Sequence, residues 1–245
     1  MKDMPRLRLS RRSNKITRDL RIFAPVAIQA IMTRLIPRIE TAIGLSISPM
    51  IDLNPAIPQR ISAGEEYDIG LTNPHYAREL IAGGHADGAS HRAFGRVPLA
   101  VGRKAGPETA ILGGEQEIKA LLRAARSIGY TGTGTSGRTY LDVVERLGLT
   151  GVVLPRSRAM GGGEPVASVA AGDTDLAIAP LSTILSTPGL VPAAVFPDKL
   201  GTHIDMSIFF SATPRSGAAA AFGFLSASDL DDELRAAGIL RFELD

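Results

Sequence analysis

Four predicted helix starts are the part of this chain best suited to chemistry, because each follows a loop of small or capping residues. They lie at Val26 and Ala27, at Asn54-Pro55, at Thr135-Ser136-Gly137 and at Gly162-Gly163. The first turn of a helix has unpaired N–H groups and a partial positive charge. If several such turns face one cleft, they can bind an anion without lysine or arginine. Taken singly, each start is also what ordinary helix capping produces.

Charged and titratable side chains near these loops are further candidates. Arg156 and Arg158 precede the triple glycine and could clamp a carboxylate, although an exposed loop would carry the same pair. Glu164 and His203 are the candidates for a general base if the chain catalyses proton transfer. The predicted ligand-binding residues are Val26, Ala27, Asn54, Thr135, Ser136, Gly137, Arg158, Gly162 and Gly163, and no catalytic residue is assigned.

Cofactor and metal chemistry is not expected. The chain has no cysteine, and its four histidines are not spaced as metal ligands. The glycines at 132, 134 and 137 fit G-x-G-x-x-G, but no long apolar strand precedes them and no clear acidic residue ends the next strand. The sequence therefore predicts neither a nucleotide nor a metal ion in the site.

The order of apolar segments predicts the fold class. Residues 20–85 alternate as β-α-β-α-β-α, which favours parallel strands with helices packed on the faces. A polar connection is predicted at residues 85–96. The later elements are predicted as strands at 97–101, 175–179, 191–196 and 204–210 and as helices at 115–127, 138–147, 164–171, 218–225 and 230–237.

Two crossings between these units predict two lobes with a hinge and a closable cleft. The chain is expected to cross near residues 96–101 and again near residues 202–208. The predicted first lobe contains residues 20–96 and 207–245, and the second lobe contains residues 97–206.

The N-terminal segment carries most of the positive charge. Residues 1–21 hold eight basic and two acidic residues, a charge of +6, and the whole chain has +2, so the rest has −4. We expect residues 1–19 to form a basic flexible arm. The rest has no basic stripe interleaved with aromatic residues, so a nucleic-acid partner is not expected.

Localisation is predicted from the same segment. No run of ~18 apolar residues is present, so membrane insertion is not expected. Residues 10–15 resemble a twin-arginine export signal, but no apolar segment follows them. The chain as it stands is therefore expected to be cytoplasmic, or periplasmic if an export signal is missing from it.

Several stretches, in this order, are similar to the type-2 periplasmic binding proteins, and most of all to the molybdate-binding family of ABC transporters. The resemblance runs from about Leu20 to the C-terminus. It implies a two-lobed α/β Venus-flytrap fold, each lobe a mixed sheet flanked by helices, with a small anion in the cleft and an ABC transporter permease as a partner. The stretches that carry it are Ile22–Ala27, Ile61–Ile69, Ser136–Tyr140, Val169–Ile178 and Leu234–Ile239.

The ligand positions depart from the pattern of that family. The family offers a serine after the first strand, where this chain has Ala27, and a second serine where it has Asn54. It offers a tyrosine after a strand of the second lobe, where this chain has Pro180, with Ser182 two residues later. Each lost charge-assisted hydrogen bond is worth ~1.5–3 kcal/mol. The departures favour a carboxylate or another organic anion over molybdate.

Three functions stay open at this point. The first is a solute-binding protein that holds a small oxyanion or organic carboxylate. The second is an isomerase of a small unsaturated carboxylate on the same scaffold, since aconitate isomerase resembles this family. The third is a sensor whose basic arm contacts a partner. The oligomeric state is not predicted.

Overall fold

The predicted alternation of strands and helices is present, with shifted boundaries. The computed structural model describes residues 19–107 and 110–244, so most of the predicted basic arm lies outside the described residues. The strands are β1 (Leu20–Pro25), β2 (Ile47–Asp52), β3 (Ile69–Thr72), β4 (Arg92–Lys104), β5 (Ile128–Thr131), β6 (Ser157–Met160), β7 (Leu176–Pro180), β8 (Leu190–Val195) and β9 (His203–Phe210). The helices are α1 (Gln29–Ile43), α2 (Ala56–Ser62), α3 (Pro74–Ala82), α4 (Glu115–Ala124), α5 (Thr135–Arg146), α6 (Thr150–Val153), α7 (Glu164–Ala171), α8 (Leu181–Ser186), α9 (Ala218–Ser226) and α10 (Asp231–Ala236).

The strands form one mixed sheet that continues through both halves of the molecule. Its order is β2-β1-β3-β9-β4-β7-β5-β6, and β8 also pairs with β4. In the first half, β1 is parallel to β2 and β3. In the second half, β5 is parallel to β6 and β7. The carboxyl ends of these parallel strands are where an α/β fold places its ligand.

Strand β4 joins the two halves and is longer than the sequence predicted. The prediction of a polar connection at residues 85–96 was wrong from Arg92 onward. Residues up to Pro98 pair with β9, and residues from Leu99 onward pair with β7 and β8. The charge of Arg96 within this strand is neutralised locally, because its guanidinium makes hydrogen bonds of 2.6 and 2.8 Å with the two carboxylate oxygens of Asp205 on β9.

Apolar side chains cover both faces of the sheet in each half, as expected for parallel strands packed between helices. In the first half, Ile22 and Leu35 belong to the core on one face and Phe23 to the core on the other. In the second half, Tyr140 and Ile178 belong to one core, and a smaller core covers the opposite face. The lobe boundaries predicted from the sequence stay a prediction.

Helix α1 runs unbroken through Pro37, where the sequence predicted a kink or a split. Proline removes one N–H donor and so leaves one carbonyl without its helical partner. Pro37 lies on the exposed face of α1, with Leu35 and Ile39 buried on the other face. Solvent can reach the exposed face, which lowers the cost of the missing hydrogen bond.

Helix α5 packs against the end of β5 at Gly137. A Cβ atom added there would lie 1.8 Å from the carbonyl oxygen of Thr131. Such a distance is far below van der Waals contact, and the clashing atom belongs to the backbone, which cannot rotate away. The third residue of α5 must therefore be glycine for the helix to start where it does.

We expect Gly137→Ala to lower the free energy of unfolding by about 2 kcal/mol or more, because overpacking against a backbone atom forces α5 away from β5. Gly151→Ala is the matched control, since this glycine of α6 has no atom within 4 Å of an added Cβ. Denaturant unfolding of both variants measures the difference. Equal stability of the two would contradict the packing described for α5.

Candidate functional site

A cavity lies where the carboxyl ends of five strands meet. Its volume is about 40 Å³, which is room for a few water molecules or one small anion. Its walls come from the segments that follow β1 and β2 in the first half and β5, β6 and β7 in the second. The lining residues are Pro25, Val26, Ala27, Leu53, Asn54, Thr131, Gly134, Thr135, Ser136, Gly162, Gly163, Pro165, Val166, Ala179, Pro180, Thr183 and Ile204.

The cavity has polar donors but no charged wall. Among the described residues, no aspartate, glutamate, lysine, arginine or histidine lines it. Its polar groups are hydroxyls, one side-chain amide and backbone N–H groups. Such neutral donors can neutralise a buried anion only if several of them point at it at once.

The first half contributes Val26, Ala27 and Asn54. A short 3-10 turn at Val26–Ile28 follows β1 and leads into α1, so the first amides of this segment have no helical partner. Asn54 is buried, and its Oδ1 atom accepts a hydrogen bond of 3.1 Å from the hydroxyl of Thr72. Because Oδ1 of Asn54 already accepts this bond, the NH₂ group of the same side chain is the part that remains available to donate to a ligand.

The predicted helix start at Asn54-Pro55 differs from the structure. Helix α2 begins at Ala56, and the amides of Ala56 and Ile57 both donate to the carbonyl of Leu53. Pro55 has no N–H group. The first turn of α2 therefore offers the cavity no free amide, and Asn54 contributes through its own groups.

The start of α5 supplies Thr135 and Ser136. The first intrahelical hydrogen bond runs from the amide of Arg138 to the carbonyl of Gly134 at 3.3 Å. The amides that precede Arg138 therefore have no helical acceptor. Thr135 also donates its hydroxyl to Oδ1 of Asn73 at 2.8 Å, which links the two halves of the molecule.

The start of α7 supplies Gly162 and Gly163. Gly163 has a positive φ of 80°, a conformation that glycine adopts at low cost. Glu164, the first residue of α7, is exposed and accepts a hydrogen bond of 2.6 Å from the amide of Gly161. The carboxylate of Glu164 offsets part of the positive partial charge at the start of α7. It also occupies the amide of Gly161, which is then not available to a ligand.

Thr183 and Thr131 are the polar residues of the cavity lining that the sequence analysis missed, and Thr183 is the more informative of the two. Its hydroxyl oxygen is buried and has no hydrogen-bond partner, and the residue lines the cavity. A buried hydroxyl without a partner costs free energy that a ligand can recover by bonding to it. The sequence analysis counted Pro180 as the loss of a hydroxyl from this wall, but Thr183 restores one. Only the short turn from β7 into α8 could have indicated this.

Ser182, the neighbour of Thr183, has a different role from the one its position suggested. Its hydroxyl donates to the carbonyl of Ala27 at 2.5 Å. The bond joins α8 of the second half to the loop after β1 in the first half. Ser182 therefore holds the two walls together instead of facing the ligand.

Leu53 closes the cavity from the side of the first half. A Cβ atom added to Gly162 would lie 3.3 Å from Leu53 Cδ2, and one added to Gly134 would lie 3.7 Å from the same atom. The side chain of Leu53 therefore reaches across to two glycines of the second half. Small residues at these two positions are what allow the walls to approach so closely.

Two predicted ligand-binding residues lie outside the cavity lining. Arg158 is exposed on β6, the strand at the edge of the sheet, and this strand replaces the loop that the sequence predicted. Gly137 faces Thr131 instead of the cavity. Arg156 donates to the carbonyls of Arg123 and Ala125 at the end of α4, so its guanidinium stabilises a helix terminus.

Neither candidate base lines the cavity. His203 lines an adjacent open pocket together with Asn73, His75, Arg78 and Asp205. Its Nε2 atom lies 3.7 Å from Asp205 Oδ2, and its Nδ1 atom is buried without a partner. Glu164 is held on the amide of Gly161, as described above. The geometry therefore places no proton acceptor among the described residues that line the cavity.

Comparison with known proteins gives a family and a fold. The family described as bacterial extracellular solute-binding protein matches residues 20–238. No curated protein matches the chain. Among the described helices, none has both the length and the apolar character that a bilayer-spanning segment requires.

Several solved structures share the fold. The periplasmic molybdate-binding protein of Azotobacter vinelandii is 16% identical, with a TM-score of 0.75 over 91% of this chain and 99% of that one. The sulfate-binding protein SubI of Mycobacterium tuberculosis is 15% identical, with a TM-score of 0.68 over 90% and 86%. PEB3 with bound L-phospholactate is 12% identical, with a TM-score of 0.69 over 91% and 100%, and PEB3 comes from Campylobacter jejuni. The type-2 two-lobed fold that the resemblance implied is thereby confirmed.

The two neighbouring hydroxyls of α8 give opposite predictions for stability. We expect Thr183→Val to keep or raise the free energy of unfolding without added anion, because it removes a buried hydroxyl that has no partner. We expect Ser182→Ala to lower it by about 1 kcal/mol or more, because the bond to Ala27 is lost. Denaturant unfolding at one protein concentration compares them. A larger loss in Thr183→Val than in Ser182→Ala would contradict the hydrogen bonding described here.

Proposed function

The chain belongs to the family of bacterial extracellular solute-binding proteins, and from this premise we propose that it binds a small anion in the cavity between its two lobes. The observation that carries the proposal is the convergence of unpaired donors on one small space. These donors are the amides after β1, β5 and β6, the amide group of Asn54 and the hydroxyl of Thr183. Their number suits an anion, and an apolar ligand would leave all of them unpaired.

We propose further that the anion is a small organic carboxylate or an oxyanion, with the carboxylate favoured. Most of the lining side chains are apolar, including Leu53, Val166 and Ile204. A carboxylate can direct two oxygens at the amides of α5 and α7 while its carbon chain contacts these side chains. The molybdate, sulfate and phospholactate named for the similar structures are ligands of those proteins, and they serve as probes for this one.

The proposed partner is the permease of an ABC transporter, to which the two-lobed chain would deliver its ligand. This proposal rests on the family match and on the resemblance of the sequence to the binding proteins of ABC transporters. The same argument favours the periplasm, the second of the two locations that the sequence left open. Residues 1–18 lie outside the described part of the chain, so the structure carries no argument about an export signal.

The isomerase alternative has no support from the family or from the similar structures, which are binding proteins. Catalysis would require a proton acceptor near the bound anion. The two candidates, Glu164 and His203, do not line the cavity. Binding without chemistry is therefore the function that the geometry favours.

We expect one or more small anions to raise the melting temperature of the full chain. The test is a thermal-shift screen of sulfate, molybdate, phosphate, acetate, lactate and L-phospholactate, followed by calorimetry. A ligand at 100 times its Kd stabilises the folded state by about 2.7 kcal/mol, which is a shift of several degrees for a protein of this size. If none of these anions shifts the transition, the proposed function is wrong for all of them.

Thr183→Val is expected to weaken binding of the identified anion by roughly ten-fold or more, because one charge-assisted hydrogen bond is worth ~1.5–3 kcal/mol. Thr41→Val is the control, since this threonine lies on the exposed face of α1 and bonds only within its own helix. Calorimetric Kd values for both variants decide the matter. Equal Kd values would show that the hydroxyl of Thr183 does not touch the ligand.

The affinity is expected to vary less than about two-fold between pH 7 and 9, because no described residue that lines the cavity titrates in this range. Sulfate or lactate is a suitable ligand, since each keeps its charge throughout. Calorimetry in buffers of matched ionic strength gives the profile. A bell-shaped profile would instead favour a titratable group in contact with the ligand, as the isomerase alternative requires.

A further inference from the structure

A group of basic side chains lies beside the cavity, where α3 of the first lobe faces α5 of the second. His75 and Arg78 on α3 and Arg138 on α5 are all exposed, and we name them the basic rim. The Nη2 atom of Arg138 donates to the hydroxyl of Tyr76 on α3 at 2.6 Å. The ring of Tyr76 also lies 3.9 Å from that of His75, and His75 and Arg78 line one pocket, so the three side chains are neighbours. Partial burial lowers the pKa of His75, Glu79 raises it, and the charges of Arg138 and Arg78 lower it.

The basic rim is separated from the cavity by a single residue. An open pocket of about 270 Å³ is lined by His75, Arg78 and Thr135, with His203 and Asp205 opposite. Thr135 also lines the cavity itself. An anion that approaches the cleft on this side therefore passes His75 and Arg78 before it reaches Thr135 and the cavity wall.

The positive charge of the basic rim is only partly offset. Asp205 faces the same pocket, but its carboxylate is held by two hydrogen bonds from Arg96. Glu79 on α3 is exposed. Its negative charge raises the pKa of His75, whereas the two arginines lower it. Within residues 19–107 and 110–244, Arg78 forms no ion pair, and the side chain of Arg138 bonds to the neutral hydroxyl of Tyr76. Two guanidinium groups against one glutamate leave the basic rim net positive.

We propose that the basic rim attracts anions towards the cavity and strengthens their capture by long-range electrostatics, more for dianions than for monoanions. The inference rests on the proposed function of the cavity. A cavity without charged walls offers only dipoles, whose attraction falls off within a turn of the helix. Unpaired charges act over about a Debye length, which is ~30 Å at 10 mM ionic strength, and so extend the range of attraction.

Coulomb's law sets the size of the expected effect. A dianion roughly 10 Å from one guanidinium group in water changes its association constant by about three-fold at 10 mM ionic strength. Reversing that charge, as in Arg78→Glu, doubles the change in free energy, so the expected effect is roughly five- to ten-fold. A monoanion has half the interaction free energy of a dianion, so its fold-change in the association constant is about the square root of the value for the dianion. At 500 mM ionic strength the Debye length is ~4–5 Å, and the effect nearly disappears.

The experiment compares Arg78→Glu with Arg146→Glu in the full chain. Arg146 is exposed in the last turn of α5, so its reversal changes the net charge equally, far from the start of that helix. Calorimetry measures Kd for sulfate, a dianion, and for lactate, a monoanion, at 10 and 500 mM ionic strength. Circular dichroism and thermal unfolding check that both variants are folded.

The expected result is a roughly five- to ten-fold rise in Kd for sulfate in Arg78→Glu at low ionic strength, a smaller rise for lactate and almost none at 500 mM. Arg146 lies about 15 Å or more along α5 from the residues that line the cavity, so Arg146→Glu should raise the Kd for sulfate at 10 mM ionic strength by only about two- to three-fold. Equal Kd values for the two variants overturn the inference and leave the proposed function intact. A loss that persists at 500 mM also overturns it, because direct contact would then explain the role of Arg78. If the wild type binds neither anion, the proposed function fails for both, and the role of the basic rim falls with it.

Discussion

A cavity lined by polar groups but by no charged side chain, among the described residues, is the constraint on which the proposed anion site depends. Neutral donors each carry a partial charge, so several must point at the same place before they offset the loss of hydration. The convergence of five strand ends on one small space meets that requirement. The same requirement fits the glycines at 134 and 162, where Leu53 of the first half approaches the backbone of the second.

Part of the cavity lining could be predicted from the sequence, because the residue types that start helices are recognisable locally. The starts at Val26, Ser136 and Gly162 were found because glycine and capping residues indicate where helices begin, and the structure brings all three to one cavity. Thr183 was missed because its exposure to the cavity depends on how α8 turns after β7. Arg158 was assigned to a loop because β6 has only four residues, and in the structure it lies outside the cavity lining. Pairing with β5 alone makes β6 a strand, and pairing is a tertiary property.

The two lobes contact each other through groups that also shape the cavity. Thr135 bonds to Asn73, Ser182 bonds to Ala27, and Leu53 packs between two glycines. Each of these contacts must break for the cleft to open, and none of them uses an ion pair. Together with the bond from the guanidinium of Arg138 to the hydroxyl of Tyr76, these contacts join the two halves through a few interactions of modest strength.

The route of the chain through the sheet has a consequence for biosynthesis. Strand β3 pairs with β9, which begins more than 130 residues later, with Ile69 opposite Phe210. Helices α9 and α10 then cover the same first-half core. During translation the second half has nearly its whole sequence before the first half can close its sheet. The sheet of the first half is thus among the last parts of the fold to be completed, although most of its strands are synthesised before the second half.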